Sequence, residues 1–264
     1  MAKAAPASRR RRKRIRPSVR AMGVAASSLC ACSRLAFVLS AIIACSASAA
    51  ADAAGARGDE LLVDMREPVF LRPPELSDAE RRKILAEASG ANGDDTTING
   101  VAHGAFTAPG RDESVYVLQR GGPQAADPSA PQGVTLAVFA GGHLEARLDT
   151  DAGNFIEASP DVDRDGTQEL LLRADSYQMG VASTRLSLVS LAQGRLSNVA
   201  TFAEARVDRC GDTRFGGDVE AAVIRYHAAP GARPEFATDR FTGRCIDGEP
   251  PAADKFRPLM HREP

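Results

Sequence analysis

The chain of 264 residues has 33 basic and 34 acidic side chains, and the near-neutral sum hides an asymmetry: residues 1–50 hold ten Lys or Arg and no Asp or Glu. The rest of the chain carries 23 basic residues against 34 acidic ones, a net charge near −11. Such a body disfavours nucleic acid and anionic membrane, where every phosphate contact needs local positive charge, and favours divalent cations and basic partners. The absence of Trp and an aromatic content of 5% argue against a ring-stacking sugar platform.

The basic cluster from Lys3 to Arg20 and Arg34 precede an apolar run, Leu35 to Ala44, of about ten residues. That run is too short to span a hydrocarbon layer of roughly 30 Å as a helix and suits the core of an export signal. Small residues at Ser46 to Ala51 then offer a cleavage geometry near Ala49 to Ala51. The stretch Ile42-Ile43-Ala44-Cys45 also resembles the bacterial lipoprotein box, which makes Cys45 a lipidation candidate. Cleavage and acylation both stay open, and so does the choice of Met1 or Met22 as start. The expected organisation is a leader over 1–50, a flexible lead-in over 51–75 with one apolar patch at Leu61 to Met65, and a single β-rich repeat domain over 76–264. The expected location is the periplasm, the outer membrane by a lipid anchor, or the exterior, with membrane contact only through the leader or a lipid on Cys45.

Within the domain, Ser77-Asp78-Ala79-Glu80 reads as a capping box, and a helix over Asp78–Ala88 follows, with Gly90 as its left-handed cap. Ile84, Leu85 and Ala88 give it a narrow apolar stripe suited to packing on a sheet. Residues 91–98 read as a polar loop. From Gly104 onward the pattern changes to short strands of period two, in a repeat of Gly-x-x-Glu followed by an apolar strand: Gly110 to Glu113 before Ser114 to Leu118, Gly166 to Glu169 before Leu170 to Leu172, and Gly217 to Glu220 before Ala221 to Tyr226. Hairpins follow the first two, with Thr135 to Phe139 and Leu144 to Leu148 flanking Gly141-Gly142, and with Arg185 to Leu191 and Leu196 to Phe202 flanking Gly194. Each strand group has an apolar face that it cannot bury alone, so neighbouring groups must stack. The expected fold is mainly β: antiparallel strand repeats in a partial propeller-like or sandwich-like stack, with one short N-terminal helix. Three of the five cysteines lie in the leader, and Cys210 and Cys245 remain as an even pair, expected to form a disulfide.

The loop before the second repeat strand reads Asp161-Val-Asp163-Arg-Asp165-Gly166-Thr167-Gln-Glu169. Alternating aspartates converge on one side of a tight turn, Gly166 permits a left-handed backbone, and Glu169 can close the shell; hard oxygen ligands in this number suit calcium. This is no EF-hand, because Leu172 stands where the twelfth-position Glu is required and a strand follows. The same aspartates can also bond their own backbone as Asx-turns, and both readings stay open. The nine residues resemble the calcium loops of FG-GAP repeats, as in the integrin α-chain propeller and related secreted bacterial repeat proteins. That resemblance implies side-chain ligation by Asp161, Asp163, Asp165 and Glu169, and a backbone carbonyl from Thr167; the family usually has Asp where Glu169 stands. The equivalent positions of the other repeats, Ala105, Thr107 and Pro109, and Asp212, Arg214 and Gly216, form no second acidic loop.

His103, His143, His227 and His261 are scattered, and the mature chain has no Gly-x-Ser-x-Gly, His-Glu-x-x-His or Walker loop. The expectation is an exported, calcium-stabilised, non-enzymatic binding or structural module that meets an unidentified protein or envelope partner and no nucleic acid. The alternative is an envelope hydrolase or lyase using an acidic pair among the repeat loops.

Overall fold

The structure, a computed structural model, describes residues 59–67, 73–89, 96–121, 133–211, 217–230 and 232–259. All belong to one compact unit, Ala54–Pro264. The expectations for the leader, Cys45, Gly90 and His261 lie outside the described residues.

Helix α1 spans Asp78–Ala88, and the capping box forms: Ser77 Oγ accepts from the Glu80 N–H, and Glu80 Oε2 accepts from the Ser77 N–H at 2.9 Å. Strand β1 (Glu60–Asp64) precedes the helix, and after the helix comes a meander of four antiparallel strands in sequential order, β2 (Thr96–Gly104), β3 (Glu113–Arg120), β4 (Val134–Ala140) and β5 (His143–Thr150). Gly141 and Gly142, both at positive φ, make the two-residue turn between β4 and β5 that needs left-handed backbone at both positions. Here the structure corrects the polar loop over 91–98: Thr96 to Ile98 already pair with Arg120 to Leu118. The strand is hard to read because Asn99 and Gly100 interrupt its pattern at a bulge.

The second sheet continues the meander through β6 (Phe155–Ala158), β7 (Leu170–Gln178), β8 (Val181–Ser190), β9 (Ser197–Asp208), β10 (Asp218–His227), β11 (Glu235–Arg244) and the short β12 (Arg257–Pro258). Strand β9 is bulged around Glu204, whose φ is +52°, and hands the sheet on: its last residues lie between β8 and the start of β10. The other half of that β10 edge is taken by β1, Glu60–Asp64, antiparallel to Val223–Tyr226. So the apolar patch inside the expected lead-in is a sheet strand, and the β-rich body begins ahead of residue 76. Burial of Leu62, Val63 and Met65 holds it there.

Three cores result. Ile84 and Ala88 of α1 pack with Ile98, Leu118, Ala137 and Phe139 on one face of the first sheet. On its other face Val115, Val117, Leu136 and Val138 meet Leu170, Leu172 and Val189 of the second. Beyond these, Leu171, Leu186 and Leu188 meet β10 and β1. Successive side chains of a strand point to opposite faces, so the run Leu170-Leu171-Leu172 feeds two cores at once, and all three are fully buried. Each such leucine contributes about 1.5–3 kcal/mol of burial. The fold is mainly β and antiparallel, with strand groups stacked through their apolar faces. The expected Cys210–Cys245 disulfide is present and ties the start of the β9–β10 connection to the end of β11.

Candidate metal centre

The loop 159–169 joins β6 to β7. Val162, 1% exposed, anchors it in the core beneath β10, while Arg164 (φ +57°) and Gly166 (φ +89°) supply its left-handed turns. The Gln168 N–H bonds the Ala105 carbonyl at 2.6 Å, and a Cβ on Gly166 would stand 3.2 Å from that of Pro109. The loop therefore lies directly on the loop between β2 and β3.

Of the predicted ligands, Asp161, Asp163 and Glu169 are brought together, with one carboxylate oxygen of each within 4.8 Å of the others. Two oxygens sharing a calcium ion at 2.3–2.6 Å are at most roughly 5 Å apart, so this spacing fits one ion. The Oδ1 of Asp161 is buried and has no hydrogen-bond partner. Asp165 is turned aside: its Oδ1 accepts from the Thr167 N–H at 2.6 Å and the Thr167 hydroxyl at 2.5 Å. Asx-type bonds coexist with the cluster, since Asp161 accepts from the Gly166 N–H at 3.1 Å and Asp163 from the Asp165 N–H at 3.2 Å.

The glutamates of the three Gly-x-x-Glu segments offer an internal comparison. Glu113 accepts from the Phe106 and Thr107 N–H groups, both at 2.8 Å, and from the Thr107 hydroxyl, with Arg111 Nε at 3.2 Å. Burial would raise its pKa, but these donors outweigh burial and hold it below the ordinary value. Glu220 pairs with Arg209 at 2.9 Å. Glu169, 2% exposed, receives one hydrogen bond, from the Val162 N–H at 3.0 Å. Seven residues before each glutamate stand Phe106 and Val162, but six residues before stand Thr107 in one case and Asp163 in the other. Burial foremost, then the charges of Asp163, Asp165 and Asp161, push Glu169 up to about 7. Asp163 is raised for the same reasons, burial first. Of the donors around Glu113, Glu169 thus keeps one backbone N–H, and among the described residues it forms no ion pair like those of Glu113 and Glu220.

From the loop, Arg164 reaches out to form an ion pair with Glu60, which also accepts from the Tyr226 hydroxyl at 2.8 Å, so the loop is tied to β1 and β10. His103, His143 and His227 sit on β2, β5 and β10; His103 Nδ1 is 2.9 Å from Ser114 Oγ and His227 is 3.9 Å from Asp59. They do not form a group with the acidic loop.

A second polar site escaped the sequence reading. It lies in a cleft where Arg173 and Asp175 of β7 face Arg206 and Asp208 of β9. The signal was an Arg-x-Asp spacing in both strands, which places each pair on one face. Among the described residues no helix is long and apolar enough to cross a membrane. The chain matches no protein-family model, no curated protein and no solved structure.

Proposed function

We propose that the protein is an exported, non-enzymatic binding or structural module of the cell envelope or exterior, and that the loop Asp161 to Glu169 takes a calcium ion that stabilises it. The observation that carries this reading is the contrast between glutamates. At the same place in the repeat, Glu113 is satisfied by three donors and an arginine, whereas buried Glu169 faces three aspartates and one N–H. A divalent cation supplies the missing charge, and its hard-oxygen shell suits calcium.

Asp161, Asp163 and Glu169 would bind first, being already convergent. Asp165 would join by giving up its bonds to Thr167, and the FG-GAP-like pattern adds the Thr167 carbonyl. The role is structural: the ion neutralises four carboxylates and fixes a loop that touches the first repeat and β1. The acidic body favours a basic surface on the partner.

Thermal melts of the full chain in EDTA and in about 5–10 mM calcium test the reading. For a Kd on the order of 0.1–1 mM, calcium should add about 1–3 kcal/mol, or roughly 2–12 °C in a chain of this size. The substitution Asp163→Ala should remove the shift. Equal melting temperatures in the two buffers, or a shift that survives Asp163→Ala, would show that the loop is only a turn.

A further inference from the structure

A cleft of about 610 Å³ opens between the outer halves of β7, β8 and β9 and the segments that carry Met65 and Pro250. That volume lies within the range of small-molecule sites, roughly 300–1,000 Å³. No residue of the calcium loop lines it.

Its floor holds Arg206, 8% exposed. One guanidinium nitrogen donates to the Met65 carbonyl at 2.8 Å, while the nearest carboxylate, Asp208, stands at 3.5 Å, the outer limit of a hydrogen bond. A guanidinium carries five donors in a planar fork, and a buried one is costly unless a carboxylate engages it closely. Arg173 beside it is better served, with Asp175 at 2.9 Å and Glu157 at 3.7 Å. The mouth has the opposite character, for Glu67 and Glu249 are exposed carboxylates. Met65, Tyr177, Ala182 and Pro250 give the walls apolar surface.

These features select a ligand by exclusion. A simple anion would meet four lining carboxylates against two guanidinium groups. A simple cation would be repelled by the Arg206 and Arg173 guanidinium groups and would bring Arg206 no carboxylate closer than Asp208 at 3.5 Å. A molecule with a carboxylate at one end, an ammonium at the other and an apolar body satisfies floor, mouth and walls together. We propose that the cleft binds a small zwitterion, a free amino acid or a short peptide, with its carboxylate on Arg206 and its ammonium toward Glu67 and Glu249. The assignment is independent of the calcium reading, because the two sites share no residue.

Calorimetric titration of the full chain with L-leucine, L-alanyl-L-leucine, N-acetyl-L-leucine and L-leucinamide, in calcium and again in EDTA, tests it. At least one of the two zwitterions should bind saturably with a Kd below about 1 mM. Preference for leucine identifies a free amino acid as ligand, and preference for the dipeptide a peptide. The acetylated and amidated compounds should each bind at least roughly tenfold more weakly, since each lacks one charge-assisted contact. Arg206→Lys should weaken binding by a similar factor. Because Arg206 also holds the Met65 carbonyl, a second variant guards against loss of the fold: Ala182→Trp places an indole in the cleft from an exposed wall position, and should abolish binding at an unchanged melting temperature. The proposal is overturned if neither zwitterion binds below about 10 mM, if N-acetyl-leucine or leucinamide binds as well as its parent, or if Ala182→Trp leaves the affinity intact.

Discussion

Substituting Glu169 by Gln keeps its shape and its acceptor for the Val162 N–H while removing the charge. The folded chain holds a proton on Glu169 up to about pH 7, against an ordinary value of 4.5. Below pH 4.5 both folded and unfolded chains are protonated there, and the group costs nothing. Between 4.5 and 7 the unfolded chain ionises while the folded chain retains the proton, so stability falls as pH rises and the full cost is present above 7. At 1.36 kcal/mol per pH unit the shift corresponds to about 3 kcal/mol, or roughly 6–12 °C in a chain of this size. In EDTA at pH 8 the Glu169→Gln protein should therefore melt higher than its parent, although a residue has been taken from the candidate site. At pH 5 the gap should shrink to about 1 kcal/mol, and below about pH 4 it should close. Asp163 and Glu157 are shifted upward too, while Asp64 and Glu113 are shifted downward and act in the opposite sense, so the contribution of Glu169 is read from the difference between parent and variant. Calcium should raise the parent at pH 8 and leave the variant nearly unmoved. The reasoning fails if the variant is no more stable than its parent at pH 8 in EDTA, or if both lose the same number of degrees between pH 5 and 8.

Two further outcomes follow from the fold. Replacing both Cys210 and Cys245 by Ser opens a loop of sequence separation 35, which should cost about 4 kcal/mol on the chain-entropy account; chemical denaturation with and without reductant measures it, and an unchanged midpoint would contradict it. Leu172→Ala empties a fully buried site between the two sheets and should cost about 2–5 kcal/mol. A loss well under about 1 kcal/mol in urea titration would mean that this seam is loosely packed.

The strands legible in the sequence were those whose pattern agrees with their burial. Helix α1 announced both ends of its capping box, and β3, β4, β7, β8 and β10 carry dense aliphatic runs because both of their faces are buried. Strand β2 was hidden by its Asn-Gly bulge, and β11, with one charged or polar face open to water, carries no continuous apolar run. Strand β1 read as a patch in a tail because its partner, β10, lies some 160 positions away at Tyr226. The same limit applies to the sites. The acidic loop is local, so its residues could be named, but the rotation of Asp165 onto Thr167 depends on competing hydrogen bonds. The cleft pairs β7 with β9 and needed the register of three strands before its arginines could be placed.

The position of the acidic loop decides how far a bound cation could reach. Its Gln168 N–H is bonded to Ala105 of the β2–β3 loop, whose Thr107 carbonyl in turn accepts from the Gln193 N–H at the β8–β9 turn. On its other side Arg164 meets Glu60 of β1, which shares Tyr226 of β10. Loops of three strand groups therefore meet along one seam, and the acidic loop is the member with unbalanced charge. Backbone bonds at such a seam hold only while the loops keep their turns, and mutual repulsion of four carboxylates acts against the turn that carries them. Neutralising that repulsion would stabilise contacts far beyond the nine residues, whereas Glu113 needs no ion because Thr107 and Arg111 already do the same for its loop. The loop before β3 is thus closed by its own donors, whereas under the proposed calcium reading its neighbour would be closed by a cation, and the stability of the stack would then respond to calcium at a single point.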